Sequence, residues 1–243
     1  MQRSLFTQRL LMKKYILSFL IALVFFLISN LPASLFASFI QSPYLLEGSV
    51  WKGHTNDFKL GKVDWNFSPL TLLQAKLGWQ VHIEQKMQHK LVFDFSIDSS
   101  KHLQFNDVTG TLSSEILKSF KLLPDNISNI TSFEVQIDAL NIDDWNADNL
   151  ADHPYLEGLL QIKNLNILGE ILGDYQLRID SKNQQLNGVI IDKDAQIKTN
   201  LNVILSPSNQ LSIQGTVKAN NQNMQLLLNG AGVNNNVVFN YQL

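Results

Sequence analysis

From residue 77 to the C-terminus the chain alternates apolar and polar residues with a period of two, the period of strands buried on one face. Leu77, Trp79, Val81 and Ile83 interleave with Gly78, Gln80, His82 and Glu84. Leu91, Phe93, Phe95 and Ile97 interleave with Val92, Asp94, Ser96 and Asp98. Phe133-Val135-Ile137, Tyr175-Leu177-Ile179 and Leu211-Ile213 with Val217 continue the pattern. Shorter runs at Leu201-Val203-Leu205, Met224-Leu226-Leu228 and Val237-Phe239-Tyr241 are expected to be strands on the same grounds. Strands of this kind bury one side and wet the other, as antiparallel meanders do. Asn187-Gly188, Ser206-Pro207-Ser208-Asn209 and Asn229–Gly232 carry turn chemistry between them.

Helices are expected to be few and short. Ser68-Pro69 supplies an N-cap and a first-turn proline for one running to about Lys76. Ser113 or Ser114 opens another toward Leu122, stopped near Pro124. The alternation does not distinguish an open sheet from a closed one. An Asn- and Asp-rich stretch at Asn141–Pro154 marks a weak point at which the domain divides if it divides at all.

The N-terminus has a different character. Arg3, Arg9, Lys13 and Lys14 lie within the first fourteen residues with no acid among them. No charge follows from Tyr15 to Ile40. About 20 apolar residues span roughly 30 Å of hydrocarbon, and residues 15–35 meet that length, with Pro32 at a kink or at the exit from lipid. The positive-inside rule keeps residues 1–14 in the cytoplasm and places 36–243 in the periplasm of a Gram-negative cell. A cleaved signal peptide is the competing reading. Its small-residue requirement fails at Ala33/Leu35, Leu35/Ala37 and Phe36/Ser38. Lys13-Lys14 before the run, and no Glu within it, exclude a pilin-type leader. Met12 is an alternative start that leaves the orientation unchanged.

The expectation is therefore a mainly β protein: an N-terminal transmembrane helix, then a curved, largely antiparallel sheet with a few short helices. Fifteen of the 19 basic residues and all 21 acids follow the tail, so the body is mildly acidic and offers nucleic acid no electrostatic footprint. With no cysteine, disulfides, thiolate-bound zinc and iron–sulfur clusters are excluded. His54, His82, His89, His102 and His153 form no paired ligand motif and read as surface histidines. Asp143, Asp144, Asp148 and Asp152 do not have EF-hand spacing. No Gly-x-Ser-x-Gly or phosphate-binding loop occurs, so neither an enzyme nor a cofactor is expected.

The sharpest local feature is Glu47-Gly-Ser-Val-Trp-Lys-Gly53, followed by Trp65 and Ser68-Pro69-Leu70. A tryptophan between glycines on a strand fits close backbone approach beside a large side chain, and core packing of Trp51 and Trp65 is the plainest reading. Gly-x-x-Trp-x-Gly after an apolar run, then Trp-x3-Pro-Leu, resembles the protein N family of the bacterial type II secretion system. Gly48, Trp51, Gly53, Trp65, Pro69 and Leu70 carry that resemblance. Leu31-Pro32-Ala33, Leu156-Glu-Gly158, Leu172-Gly-Asp-Tyr175, Gly188 and Gly215 extend it along the chain, and Asp143–Asp152 departs from it. The resemblance implies an accessory inner-membrane component that supports export of folded proteins through contacts with other secretion subunits. It assigns no catalytic residue. The alternative is an AsmA-like periplasmic protein that binds or transfers lipid along the apolar sheet face and acts in envelope maintenance.

Overall fold

The computed structural model describes residues 18–23, 26–35, 44–57, 61–85, 89–119, 131–146, 148, 154–182, 185–208, 210–230 and 235–242. Among the described residues thirteen strands form one open antiparallel sheet in strict chain order. They are β1 (Glu47–Gly48), β2 (Lys52–Asp57), β3 (Gly61–Phe67), β4 (Lys76–Glu84), β5 (Lys90–Asp98), β6 (His102–Ser113) and β7 (Thr131–Asn146). There follow β8 (Tyr155–Ile167), β9 (Glu170–Lys182), β10 (Gln185–Ala195), β11 (Ile197–Leu205), β12 (Gln210–Ala219) and β13 (Asn236–Gln242). Among the described residues after Tyr44, a 3-10 helix covers Pro69–Gln74, and two short α-helices cover Ser114–Ser119 (α1) and Gln222–Gly230 (α2).

Alternation within strands becomes one continuous apolar face because the register keeps apolar residues opposite one another. Val81 of β4 faces Trp65 of β3 and Phe93 of β5. Leu160 of β8 faces Ile137 of β7 and Leu177 of β9, which in turn faces Ile190 of β10. Ile213 of β12 faces Val203 of β11 and Phe239 of β13. Bulges interrupt the register between β5 and β10 and bend the strands there. Non-glycine residues at positive φ occur in these bulges, among them Asp107 and Asn164. Asn141 Oδ1 accepts from the Asp107 amide and Asp174 Oδ1 from the Asn164 amide, so a side chain replaces each interrupted ladder bond. The Asn- and Asp-rich stretch supplies strand as far as Asn146, and Ile142 pairs with Leu156 across it.

Met224-Leu226-Leu228 departs from expectation, being helical rather than extended. Asn221 caps α2, its Oδ1 accepting from the Met224 amide at 2.9 Å. Met224 and Leu228, four residues apart, are buried on one helix face while Leu226 is exposed. They close the apolar face over Leu172, Tyr175, Ala195, Ile197 and Val217. Asn187-Gly188 lies within β10, not at a turn, with Gly188 opposite Ile179 and Val203. Ser206 and Ser208 do form a turn, their hydroxyls 2.8 Å apart. Ser114 begins α1 but its Oγ accepts from the Phe133 amide of β7, tying the helix to the sheet.

In this cluster the Tyr175 hydroxyl donates to the Ile197 carbonyl at 3.3 Å. Burial, aided by the negative charge of Asp192, pushes its pKa from 10.0 up to about 12. A folded-state pKa above the unfolded value favours the fold fully below pH 10 and loses that contribution as pH rises through about 12. Urea midpoints measured from pH 9 to 12 are therefore expected to fall across the upper part of that range. Tyr175→Phe removes this part of the slope. An unchanged slope in that variant would assign the alkaline loss to other groups.

The anchor expected over residues 15–35 lies partly outside the described residues, and the basic tail, 1–14, wholly so. Residues 18–23, 26–29 and 33–35 are helical. Among the described residues no helix is long and apolar enough to cross a membrane.

Candidate functional site

The turn joining β1 to β2, Ser49–Trp51, is the point on which three of the chain's four tryptophans converge. Its shape begins with glycine. Gly48 has φ +92°, and a Cβ there would lie 2.7 Å from the Lys52 carbonyl oxygen. A Cβ on Gly53 would run into the Trp65 indole and the Glu47 carbonyl. The two glycines, paired in register, thus let an indole lie flat against the hairpin backbone. Ser49 closes the turn, its amide donating to the Lys52 carbonyl at 2.9 Å and its Oγ accepting from the Lys52 amide at 3.1 Å.

Three successive carbonyls in this turn are then taken up by distant donors. Trp65 Nε1 donates to the Ser49 carbonyl at 3.0 Å and Trp79 Nε1 to that of Val50 at 2.9 Å. The Phe67 amide donates to the carbonyl of Trp51. Trp51 sits in the turn itself rather than on a strand, and its Nε1 donates outward to the Ile28 carbonyl at 2.7 Å. The Val50 amide donates to the Leu31 carbonyl at 3.0 Å, and Pro32 forms an isolated antiparallel bridge with Ser49. Ala33, 1 % exposed, is buried at this junction. The end of the apolar run is therefore fastened to the first hairpin by two hydrogen bonds, each worth about 1 kcal/mol net.

From Trp51 an aromatic row crosses the sheet. Ring centroids lie 4.6 Å apart for Trp51 and Phe67, 5.8 Å for Phe67 and Trp79, and 6.0 Å for Trp79 and Phe95. The row continues at 5.2 Å to Phe105 and 6.3 Å to Trp145. These spacings fall in the range where aromatic pairs add roughly 0.5–1.5 kcal/mol beyond area burial.

Pro69 is the first residue of the 3-10 helix, as its sequence position implied. Ser68 precedes it without a side-chain cap. Its amide instead donates to the Gly78 carbonyl, and its own carbonyl accepts from Thr71 Oγ1 at 2.7 Å. Leu70 is exposed. The structure thus gathers Gly48, Trp51, Gly53 and Trp65 into one knot and places Pro69 and Leu70 immediately beyond it. Trp79, Phe67 and Ile28 complete the knot. The alternation had placed Trp79 on the apolar face, but only strand register shows what it reaches.

Three of the histidines have local partners. His54 Nε2 is 3.1 Å from Glu47, and His102 Nδ1 is 3.5 Å from both Asp98 and Asp144. His89 Nδ1 is 3.2 Å from Thr111 Oγ1. His153 lies outside the described residues. Asp98 caps the β5–β6 turn, and the His102 amide, with that of Ser100, holds its carboxyl below the usual range. Lys101 bonds both oxygens of Asp148 at 2.8 Å. Among the described residues no three His, Asp or Glu are grouped to hold a metal. On the polar face a groove crosses β7–β10, lined in part by Glu157, Arg178, Asp180 and Lys182, so both signs of charge line it.

The family model for the type II secretion system (T2SS), protein N, matches residues 45–238. The chain belongs to the type II secretion system protein N family. No curated protein and no solved structure matches it. The protein N match starts two residues before β1 and ends within β13, so it covers the glycine–tryptophan knot and nearly all of the sheet. It makes the chain a component of the type II secretion machinery and lends no support to the lipid-transfer alternative.

Proposed function

We propose that the chain is an accessory inner-membrane component of type II secretion that supports export of folded proteins by contact with other secretion subunits, not by catalysis. Residues 1–14 form its cytoplasmic tail, 15–35 its single membrane anchor and 36–243 its periplasmic domain. The basic-then-apolar order and the positive-inside rule support that topology. The knot at Ser49–Trp51 supports it further, because it fixes the periplasmic sheet to the exit of the anchor.

The observation that carries the contact mechanism is the unequal finish of the two sheet edges. β1 is two residues long and the 28–32 segment lies against its turn. β13 has seven residues, Asn-Val-Val-Phe-Asn-Tyr-Gln, with no charge, no proline and exposed Val238, Phe239 and Tyr241. Edges that must stay single are ordinarily blunted by charge, proline or brevity. Among the described residues β13 pairs with β12 alone. The Val217 amide donates to the Asn235 carbonyl at 2.9 Å, which fixes the alternation. Peptide groups of Val237, Phe239 and Tyr241 face β12, and those of Asn236, Val238 and Asn240 face outward. A strand from another secretion subunit adds to that edge.

Val238→Pro tests this directly. It removes an outward-facing donor and leaves the bonds to β12, so stability is expected to change by about 1 kcal/mol or less. In a strain lacking the gene, the wild-type chain restores secretion and Val238→Pro does not, at equal abundance in the inner membrane. Full restoration by Val238→Pro would remove β13 from the contact. A deletion that leaves secretion intact and damages only the outer-membrane permeability barrier would overturn the functional assignment.

A further inference from the structure

We propose that the 3-10 helix Pro69–Gln74 inserts its leucines into the periplasmic surface of the inner membrane beside the anchor, a second membrane contact that orients the sheet. The inference rests on the anchor assigned above. Leu70, Leu72 and Leu73 are 72 %, 54 % and 86 % exposed, and no charged residue occurs from Ser68 to Ala75. Three leucines turned outward from a six-residue helix are unusual in a surface that has only water to meet.

The helix is held in this attitude. Thr71 packs over Gly78, where a Cβ would lie 2.5 Å from its Cγ2, and Thr71 Oγ1 bonds the Ser68 carbonyl. The Ala75 amide closes the last turn on the Leu72 carbonyl at 3.0 Å. Thr71 therefore seats the helix on the sheet, and the leucines project from it.

Its place in the fold identifies the partner as a lipid surface. Phe67, one residue before Ser68, donates its amide to the carbonyl of Trp51, and Trp51 bonds Ile28 near the end of the apolar run. Exposed Phe26, Leu27, Ile28, Leu31 and Leu35 continue the apolar surface on the anchor side of the same knot. Trp51, Trp65 and Trp79, three of the four tryptophans in the chain, gather at the knot itself. Indoles concentrate at the headgroup level of membranes, where one end of the ring is wet and the other dry. The anchor exit, the tryptophans and the leucines thus share one end of the sheet.

The chain has no cysteine, so single cysteines report depth without background. The full chain carrying Leu73→Cys, labelled with an environment-sensitive fluorophore, is placed in phosphatidylethanolamine–phosphatidylglycerol vesicles containing nitroxide lipids. Leu23→Cys within the apolar run and Leu226→Cys on α2 serve as references. The label at Leu73 is expected to emit to the blue and to be quenched by a nitroxide near the headgroups, and that at Leu226 to do neither. Water-like emission at Leu73 with quenching at Leu23 would overturn the leucine contact and leave the anchor standing. Water-like emission at both would overturn the anchor and this inference together. Quenching at Leu73 that survives replacement of Leu70 and Leu72 by serine, and equals that at Leu226, would also overturn it.

Discussion

Trp79→Ala is expected to lower stability by roughly 3 kcal/mol, the lower end of the range for deleting a large aromatic side chain because Trp79 is only half-buried. Two losses combine. The indole stands between Phe67 and Phe95, at 5.8 Å and 6.0 Å, so removing it breaks the aromatic row in two. Its Nε1 also satisfies the Val50 carbonyl, which is left without that donor in the turn that holds the apolar run. For a domain of this size the change corresponds to a fall in Tm of roughly 6–12 °C. Trp79→Phe separates the terms: it keeps a ring in the row and loses only the donor, at about 1 kcal/mol. Thermal melts in which both variants fall equally would show that the row adds nothing beyond the hydrogen bond.

Gly110→Ala is expected to cost about 3 kcal/mol, for a reason lying in the backbone. Gly110 has φ +136°, and a Cβ there would collide with the carbonyl group of Lys90 and lie 2.9 Å from Leu91 Cα on β5. Neither obstacle is the end of a flexible side chain, so relief requires separating β5 from β6. Gly169 is the control: its φ is +89°, but nothing lies within 4 Å of its would-be Cβ. Gly169→Ala carries the conformational cost alone, about 1–2 kcal/mol. Denaturant midpoints that place the two variants together would mean that the strands part without penalty.

Much of this fold was legible in the sequence because period-two alternation is a local property. Leu77–Ile83 and Leu91–Ile97 occupy β4 and β5 as the alternation requires. The failures are equally local in cause. Met-x-Leu-x-Leu satisfies a strand template and also contains the i, i+4 pair Met224/Leu228, and the Asn221 cap with the apolar floor beneath decides for helix. Asn187-Gly188 carries turn chemistry, yet Gly188 has neighbours on both sides that favour the ladder.

The site was legible in its members and not in its assembly. Gly48, Trp51, Gly53 and Trp65 stand close in sequence, so their grouping was visible. That Trp79 reaches Val50, or that Trp51 leaves the strand to reach Ile28, depends on registers and separations of 29 and 23 residues. No composition or spacing encodes those distances. The aromatic row is hidden for the same reason: Phe105 joins Phe95 only because the β5–β6 register places them opposite, before a bulge shifts it.

The consecutive order of the strands also bears on how the molecule is made. Every ladder joins neighbours in the chain, so no strand must wait for a distant one. A polypeptide delivered from its N-terminal end presents β1 first and β13 last, and each arriving strand finds its template already laid down. Assembly can keep pace with delivery of the chain, and each temporary edge is masked by the next segment to arrive. Among the described residues β13 is the edge that no later strand covers.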